Sequence, residues 1–315
     1  MRKLVLASAV SAAFSLPLTV FGQTAPAETA PAAAAPASPH TFTGNVGLFS
    51  DYRFRGISQT YKAPAVQGGF DYAHESGFYL GTWASNVSGN LYTNGNLEWD
   101  FYGGYKFEPV KGLGIDLGTL YYYYPEARSG SAAGVQNVKY NNWEIYGAAS
   151  YSYFSAKLSY SLTDYFGLNT AQVFGSNSAP ANNPPFGYCG VNVNAVGGVS
   201  NSNCYSSAPG GSKGSTYLDL GFSYPFGDKW TVGAHYGMTT VKNWSKNSYD
   251  DWKISLNKEY NGFNFGLAYI DTNAKNEWYT AMTPGYVPPP GVPANGQSSK
   301  KLGDGTVVLS VSKTF

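Results

Sequence analysis

Residues 97–107 read Leu97, Glu98, Trp99, Asp100, Phe101, Tyr102, Gly103, Gly104, Tyr105, Lys106, Phe107, with every charge at an even position and apolar or aromatic residues at most odd ones. Successive side chains of an extended strand point to opposite faces, so the run predicts an amphipathic strand. The same period recurs at 42–56, 65–74, 77–87, 97–107, 113–124, 140–151, 154–165, 215–224, 230–241, 249–258, 263–271 and 305–315. Twelve such runs predict an all-β antiparallel sheet with an even strand count. The links between them alternate in length. Those at 75–76, 108–112, 152–153, 225–229 and 259–262 are short, and several carry turn chemistry such as Asn261 and Gly262. Those at 57–64, 88–96, 125–139, 166–214, 242–248 and 272–304 are longer and rich in Asn, Ser, Gly and Pro.

Composition decides which face meets water. Charged residues make up only 12% of the chain and aromatics 17%, against about a quarter charged in ordinary soluble domains. With so few charges to solvate an exterior, the apolar face is expected to meet lipid. The polar face then lines a closed transmembrane antiparallel β-barrel of about twelve strands. An even strand count puts both termini on the side of the short links, which is the periplasmic side; the long links then lie outside the cell. Mid-strand charges sit on the parity opposite to the apolar residues, as they must if an Arg or Lys facing lipid costs about 2–4 kcal/mol. Trp99, Tyr123, Trp143, Trp252 and Tyr269 fall at one end of the apolar face and Phe107, Tyr224, Trp230 and Phe263 at the other, as two aromatic girdles.

The first 22 residues carry a basic start at Arg2 and Lys3, an apolar stretch from Leu4 to Leu18, and the small-residue pattern Val20, Phe21, Gly22. They are expected to be a cleaved signal peptide. Residues 23–39 form an Ala/Pro leader, and 40–315 the barrel, with its longest external loop at 166–214. No stretch of 18 apolar residues follows, so helical spans are not expected. A formal charge of +1 without a basic cluster argues against nucleic acid. Cys189 and Cys204, the only two cysteines, are expected to form a disulfide in an oxidising compartment. Without nearby His they do not suggest a metal site, and neither metal nor cofactor is expected.

The charged positions on the polar parity are the candidate pore-lining residues: Asp51, Arg53, Arg55, Asp71, Glu98, Asp100, Glu144, Lys157, Asp219, Asp251 and Lys253, with His235 as a solvated lumen residue. Arg53 and Arg55 are the most informative pair. They either satisfy Glu98, Asp100 or Asp51 within the wall or set up a transverse field at a constriction. With Asp116 and Lys106 added, the parity carries eight carboxylates against five bases, an acidic wall expected to favour cations. Twelve strands about 4.7 Å apart and tilted about 40° leave a passage roughly 10 Å wide, unless the long loop 166–214 folds into it.

Other motifs carry less. Gly210, Gly211, Ser212, Lys213 and Gly214 match the string of a nucleophile elbow but sit in a loop without the strand and helix that chemistry needs. Asp271, Asn273 and Glu277 lack the Gly and Glu of a calcium loop. The Tyr121 to Tyr124 run reads as girdle and wall packing. No catalytic residue is expected. The chain ends at Phe315 after Val307, Leu309 and Val311, like the terminal signal read by the bacterial barrel assembly machinery.

SDYRFRGISQT at 50–60, GFDYAHESGFYLGTWASNV at 69–87, EWDFYGGYK at 98–106 and the ending SKTF resemble the TorF family of porins, bacterial proteins of unknown function. The resemblance implies an outer-membrane barrel of Gram-negative bacteria, without a known substrate or established functional residue. Periodicity and resemblance together lead to an expected passive channel for ions or small hydrophilic solutes. Its expected partners are outer-membrane lipid, lipopolysaccharide and the assembly machinery. A non-conducting barrel that displays loops for adhesion is the alternative.

Overall fold

The computed structural model describes residues 38–92, 94–129, 138–169, 189–191, 199–204, 209–276, 278–282 and 299–315. Alternation becomes twelve long strands: β1 His40–Phe49, β2 Ala65–His74, β3 Phe78–Asn86, β4 Leu97–Val110, β5 Leu113–Tyr123, β6 Asn142–Tyr151, β7 Phe154–Ser161, β8 Thr216–Phe226, β9 Trp230–Thr240, β10 Tyr249–Tyr260, β11 Phe263–Thr272 and β12 Thr306–Thr314. Each pairs antiparallel with its neighbours in sequence, and β12 pairs with β1, so the barrel closes. Closure leaves no free edge.

The turn chemistry explains the tight end. Asn261 and Gly262 join β10 to β11 with φ of 51° and 76°, the two positive values that a type I′ hairpin requires. At the seam, Gly44 and Phe315 exchange backbone hydrogen bonds of 2.8 and 2.9 Å. The Phe315 ring lies so close to Gly44 that a Cβ there would come within 2.7 Å of it. The last residue thus completes the ladder, and its ring stays exposed on the outside.

Outward-pointing Phe42, Phe70, Phe78, Leu80, Phe154, Ile254 and Leu309 are each more than half exposed. Trp99 and Trp143 also face outward, and each indole N–H donates to a threonine hydroxyl on the adjacent strand, Thr82 and Thr119, both at 2.7 Å. An indole satisfied in this way leaves no orphan donor on an apolar surface. Tyr121 and Tyr123 stack outside at 6.4 Å, while Tyr122 and Tyr124 are buried inside.

One expected strand runs too far. The run at 42–56 keeps its period of two throughout, yet β1 stops at Phe49. Residues 51–61 then fold into the barrel and are buried throughout. Arg53–Phe54 pairs with Ile57–Ser58 as a miniature hairpin. Its turn residues Arg55 and Gly56 have φ of 46° and 78°, again the type I′ pattern. Asp51 ties the hairpin's base by accepting from Ser58 Oγ at 2.6 Å and Thr60 Oγ1 at 3.0 Å. Alternation cannot reveal such a fold-back, because a hairpin arm has the same period as a wall strand. β7 also ends early, at Ser161, before a single 3₁₀ turn at Tyr165–Gly167.

Candidate functional site

The hairpin starts from the end of β1 and its tip reaches the far side of the barrel. Arg55 Nη2 donates to both carboxylate oxygens of Glu144 on β6, at 2.9 and 2.8 Å. Its guanidinium lies over the rings of Phe54, Tyr165 and Tyr217, 4.7, 5.5 and 4.2 Å from their centroids. Gly56 packs on β10 and β11, where a Cβ would come within 2.8 Å of the Asp251 Cβ and closer still to Thr272. Arg53 serves the hairpin's other flank. It pairs with Asp51 at 2.6 Å and donates from Nη1 to the carbonyls of Gly56, Leu302 and Asp304.

The space between hairpin and wall is filled. On one side Tyr52 meets Trp83 edge-on at 5.6 Å, and Phe54 meets Tyr122 at 5.6 Å and Phe166 at 5.3 Å. On the other, Ile57 packs with Tyr61, Tyr249 and Leu302. Glu98 and Asp100 are sealed under this cover with no solvent exposure. Glu98 Oε2 accepts from Tyr52 at 2.9 Å. Burial and the Glu98 carboxylate push the Tyr52 phenol up, so it keeps the proton that it donates. Neither Arg53 nor Arg55 forms an ion pair with Glu98 or Asp100; Arg53 takes Asp51 and Arg55 takes Glu144.

Nearer the tight turns of β4 to β7 the interior is more open, with Lys106, Asp116 and Lys157 only half-buried. Lys106, Asp116, Ala148, Lys157, Asp219, Gly237 and Asp251 lie on one unbroken line of register partners from β4 to β10. Lys106, Asp116, Lys157 and Asp219 alternate in sign along it, and Asp251 ends it with a second carboxylate. Tyr79 donates to Asp116 at 2.7 Å and meets the Tyr146 hydroxyl in a short contact; Tyr102 donates to Asp71 at 2.6 Å. Lys157 sits over the Tyr146 ring at 3.9 Å and Lys106 over Tyr79 at 4.8 Å. Lys253 stands opposite His235 in the register. The facing arc of β11, β12 and β1 presents Asn264, Gly266, Ala268, Ser310, Ser312, Asn45 and Gly47 and no charge.

His235 is not a solvated residue as expected; its side chain is 17% exposed. Nδ1 lies 2.9 Å from Asp219 and Nε2 2.8 Å from Asp251. Each ring nitrogen thus faces one carboxyl group, and the Tyr217 hydroxyl lies 3.2 Å from Nε2 as well. Tyr217 links this clamp to the hairpin, since its hydroxyl donates to Asp251 at 3.2 Å while its ring carries Arg55. Both partners stand 16 residues away in sequence and are brought in only by cross-strand register.

The eight-to-five count of acids and bases needs correcting as well. Burial withdraws Glu98 and Asp100, and Asp51 and Glu144 are neutralised by arginines. A bare tally of interior charges therefore overstates the acidity of the uncovered wall. Ser212 is consumed by packing, its hydroxyl accepting from the Tyr165 amide and donating to the Leu168 carbonyl. Asp164 takes the Ser212 and Lys213 amides at 2.7 and 2.9 Å, which clasps together the described ends of the long loop. Much of 166–214 lies outside the described residues, as do Glu277 and the leader before residue 38. The backbone register of Cys189–Val191 against Val199–Cys204 sets Cys189 opposite Cys204.

Several solved barrels are similar to this chain. A KdgM porin has 8% identity and a TM-score of 0.45, covering 87% of this chain and 99% of its own. A NanC porin has 7% identity and a TM-score of 0.42, with coverage of 87% and 99%. The outer membrane protein OprD from Pseudomonas aeruginosa has 11% identity and a TM-score of 0.32, covering 87% of this chain and 64% of its own. No curated protein matches the chain in sequence. Residues 33–315 match the family Gcw_chp, described as a bacterial protein of unknown function. That match bears out the expected kinship with uncharacterised bacterial proteins but not the TorF name. The chain belongs to the Gcw_chp family of bacterial proteins of unknown function.

Proposed function

We propose that this protein is an outer-membrane channel for passive diffusion of ions or small hydrophilic solutes, narrowed by the hairpin at Arg53–Ser58. The observation that carries this reading is a closed twelve-stranded barrel with an apolar exterior and a charged interior. Only lipid makes such an exterior favourable, and only water or polar solutes make such an interior useful. On this reading both termini and the tight turns face the periplasm. The long links, with Cys189 and Cys204 disulfide-bonded to each other, face outward. Lipopolysaccharide surrounds the rim, and the assembly machinery reads the strand that ends at Phe315. The solute slides along the charged register line of β4 to β10, opposite the uncharged arc of β11, β12 and β1.

The packed hairpin favours a second reading, a non-conducting barrel that displays its long links. Planar-bilayer recording of purified, heat-modifiable protein separates the two. Discrete conductance steps are expected, and a folded barrel that inserts yet stays silent would overturn the channel in favour of display.

A further inference from the structure

We propose that His40 and His74 form a binding site for a divalent transition metal of the zinc and copper class, on the outer face of the barrel at its tight-turn end. The two residues are register partners on β1 and β2, and they share the outward parity of Phe42, Phe70 and Tyr72. Their ring centroids are 5.2 Å apart with planes inclined at 54°. A metal about 2.0–2.1 Å from each nitrogen sits roughly 3.2 Å from each ring centre, and a tetrahedral angle then puts the centres about 5.2 Å apart. The spacing already matches that of two ligands on one ion.

Their hydrogen bonds favour the same chemistry. His40 Nδ1 lies 2.8 Å from the Tyr72 hydroxyl, and His74 Nδ1 lies 2.7 Å from Ser76 Oγ. The Ser76 amide N–H donates to His74 Nδ1 at a longer 3.2 Å, a contact that the tautomer ligating through Nε2 gives up in favour of the Ser76 hydroxyl. An Nδ1–H given to a hydroxyl leaves the lone pair of the neutral ring on Nε2. Among the described residues no hydrogen bond reaches Nε2 of either ring. Ligating imidazoles nearly always hand their second N–H to such a partner, and the Tyr72 ring stacks on His40 at 5.8 Å. Imidazole suits zinc, copper and nickel, and water completes the shell. Bound there, the ion would staple the start of β1 to the end of β2. The site lies on the outer wall and does not depend on conduction through the lumen.

The test is calorimetric titration of zinc chloride into the full chain, folded in non-chelating detergent buffer, together with electron paramagnetic resonance of the copper-loaded protein. One zinc per chain is expected, with affinity falling on acidification because a protonated ring cannot ligate. His40→Gln and His74→Gln should each weaken binding about tenfold or more, with heat-modifiable migration reporting that both variants fold. Copper should show two nitrogen ligands in the unaltered chain and at most one in each variant. Absence of nitrogen splitting in the unaltered chain, or zinc binding that neither substitution changes, would overturn the site.

Discussion

The two halves of the barrel interior are built from the same alternating strands and behave differently. In the half that bears the long links, the hairpin at 53–58 covers the wall, Glu98 and Asp100 see no solvent, and Arg55 is committed to one carboxylate on the far side. In the half that bears the tight turns none of the described segments covers the wall. Lys106, Lys157 and Asp116 remain half-buried there. A charge under the hairpin has lost its water and depends on its protein partner; a charge on the open wall still has solvent. The covering segment, more than the wall sequence, decides which interior charges are structural and which can meet a solute.

The contrast breaks most sharply at Glu144. Glu144→Gln leaves Arg55 buried without its counterion, and losing one partner of a buried pair costs about 3–5 kcal/mol. Urea unfolding in micelles should show a loss of that size. Trypsin should then cut at Arg53 and Arg55, which are protected in the unaltered chain. Unchanged stability with continued protection would mean that the ion pair does not hold the hairpin. Gly56→Ala comes next, because it adds a Cβ at φ 78° against Asp251 and Thr272. A left-handed non-glycine residue costs about 1–2 kcal/mol before any clash, so partial release of the hairpin and larger conductance steps are expected.

A smaller effect is expected at His235. Its ring bridges Asp219 and Asp251, and Tyr217 ties that bridge to Arg55. His235→Ala removes both contacts, so trypsin sensitivity of the hairpin should increase, by less than in Glu144→Gln. Unchanged protection in the variant would disconnect the clamp from the hairpin. The smallest effect belongs to the solvated ion pair of Lys229 and Glu259, 2.6 Å long with side chains 57% and 51% exposed. Lys229→Ala should leave urea unfolding in micelles essentially unchanged. A loss comparable to that of Glu144→Gln would erase the distinction between covered and solvated charges.

Sequence alone located the wall closely. β2 runs from Ala65 to His74 as the alternation at 65–74 predicts, and the other strands lie within a few residues of their runs except at 42–56 and 154–165. Strand existence depends on a local period and on turn residues beside it, so short stretches such as Asn261 and Gly262 suffice. Composition likewise told which face is apolar, since a chain so poor in charge cannot solvate that exterior. What tertiary structure alone decided is how interior groups combine. Arg55 and Glu144 are 89 residues apart, and Arg53 reaches the Leu302 carbonyl across 249. The Asp219, His235 and Asp251 clamp and the charge line from Lys106 to Asp251 exist only once inter-strand register is set. Parity places a side chain on a face, but closure of the sheet and the fold-back of the hairpin choose its neighbours, because those contacts span distances over which the local pattern carries no information.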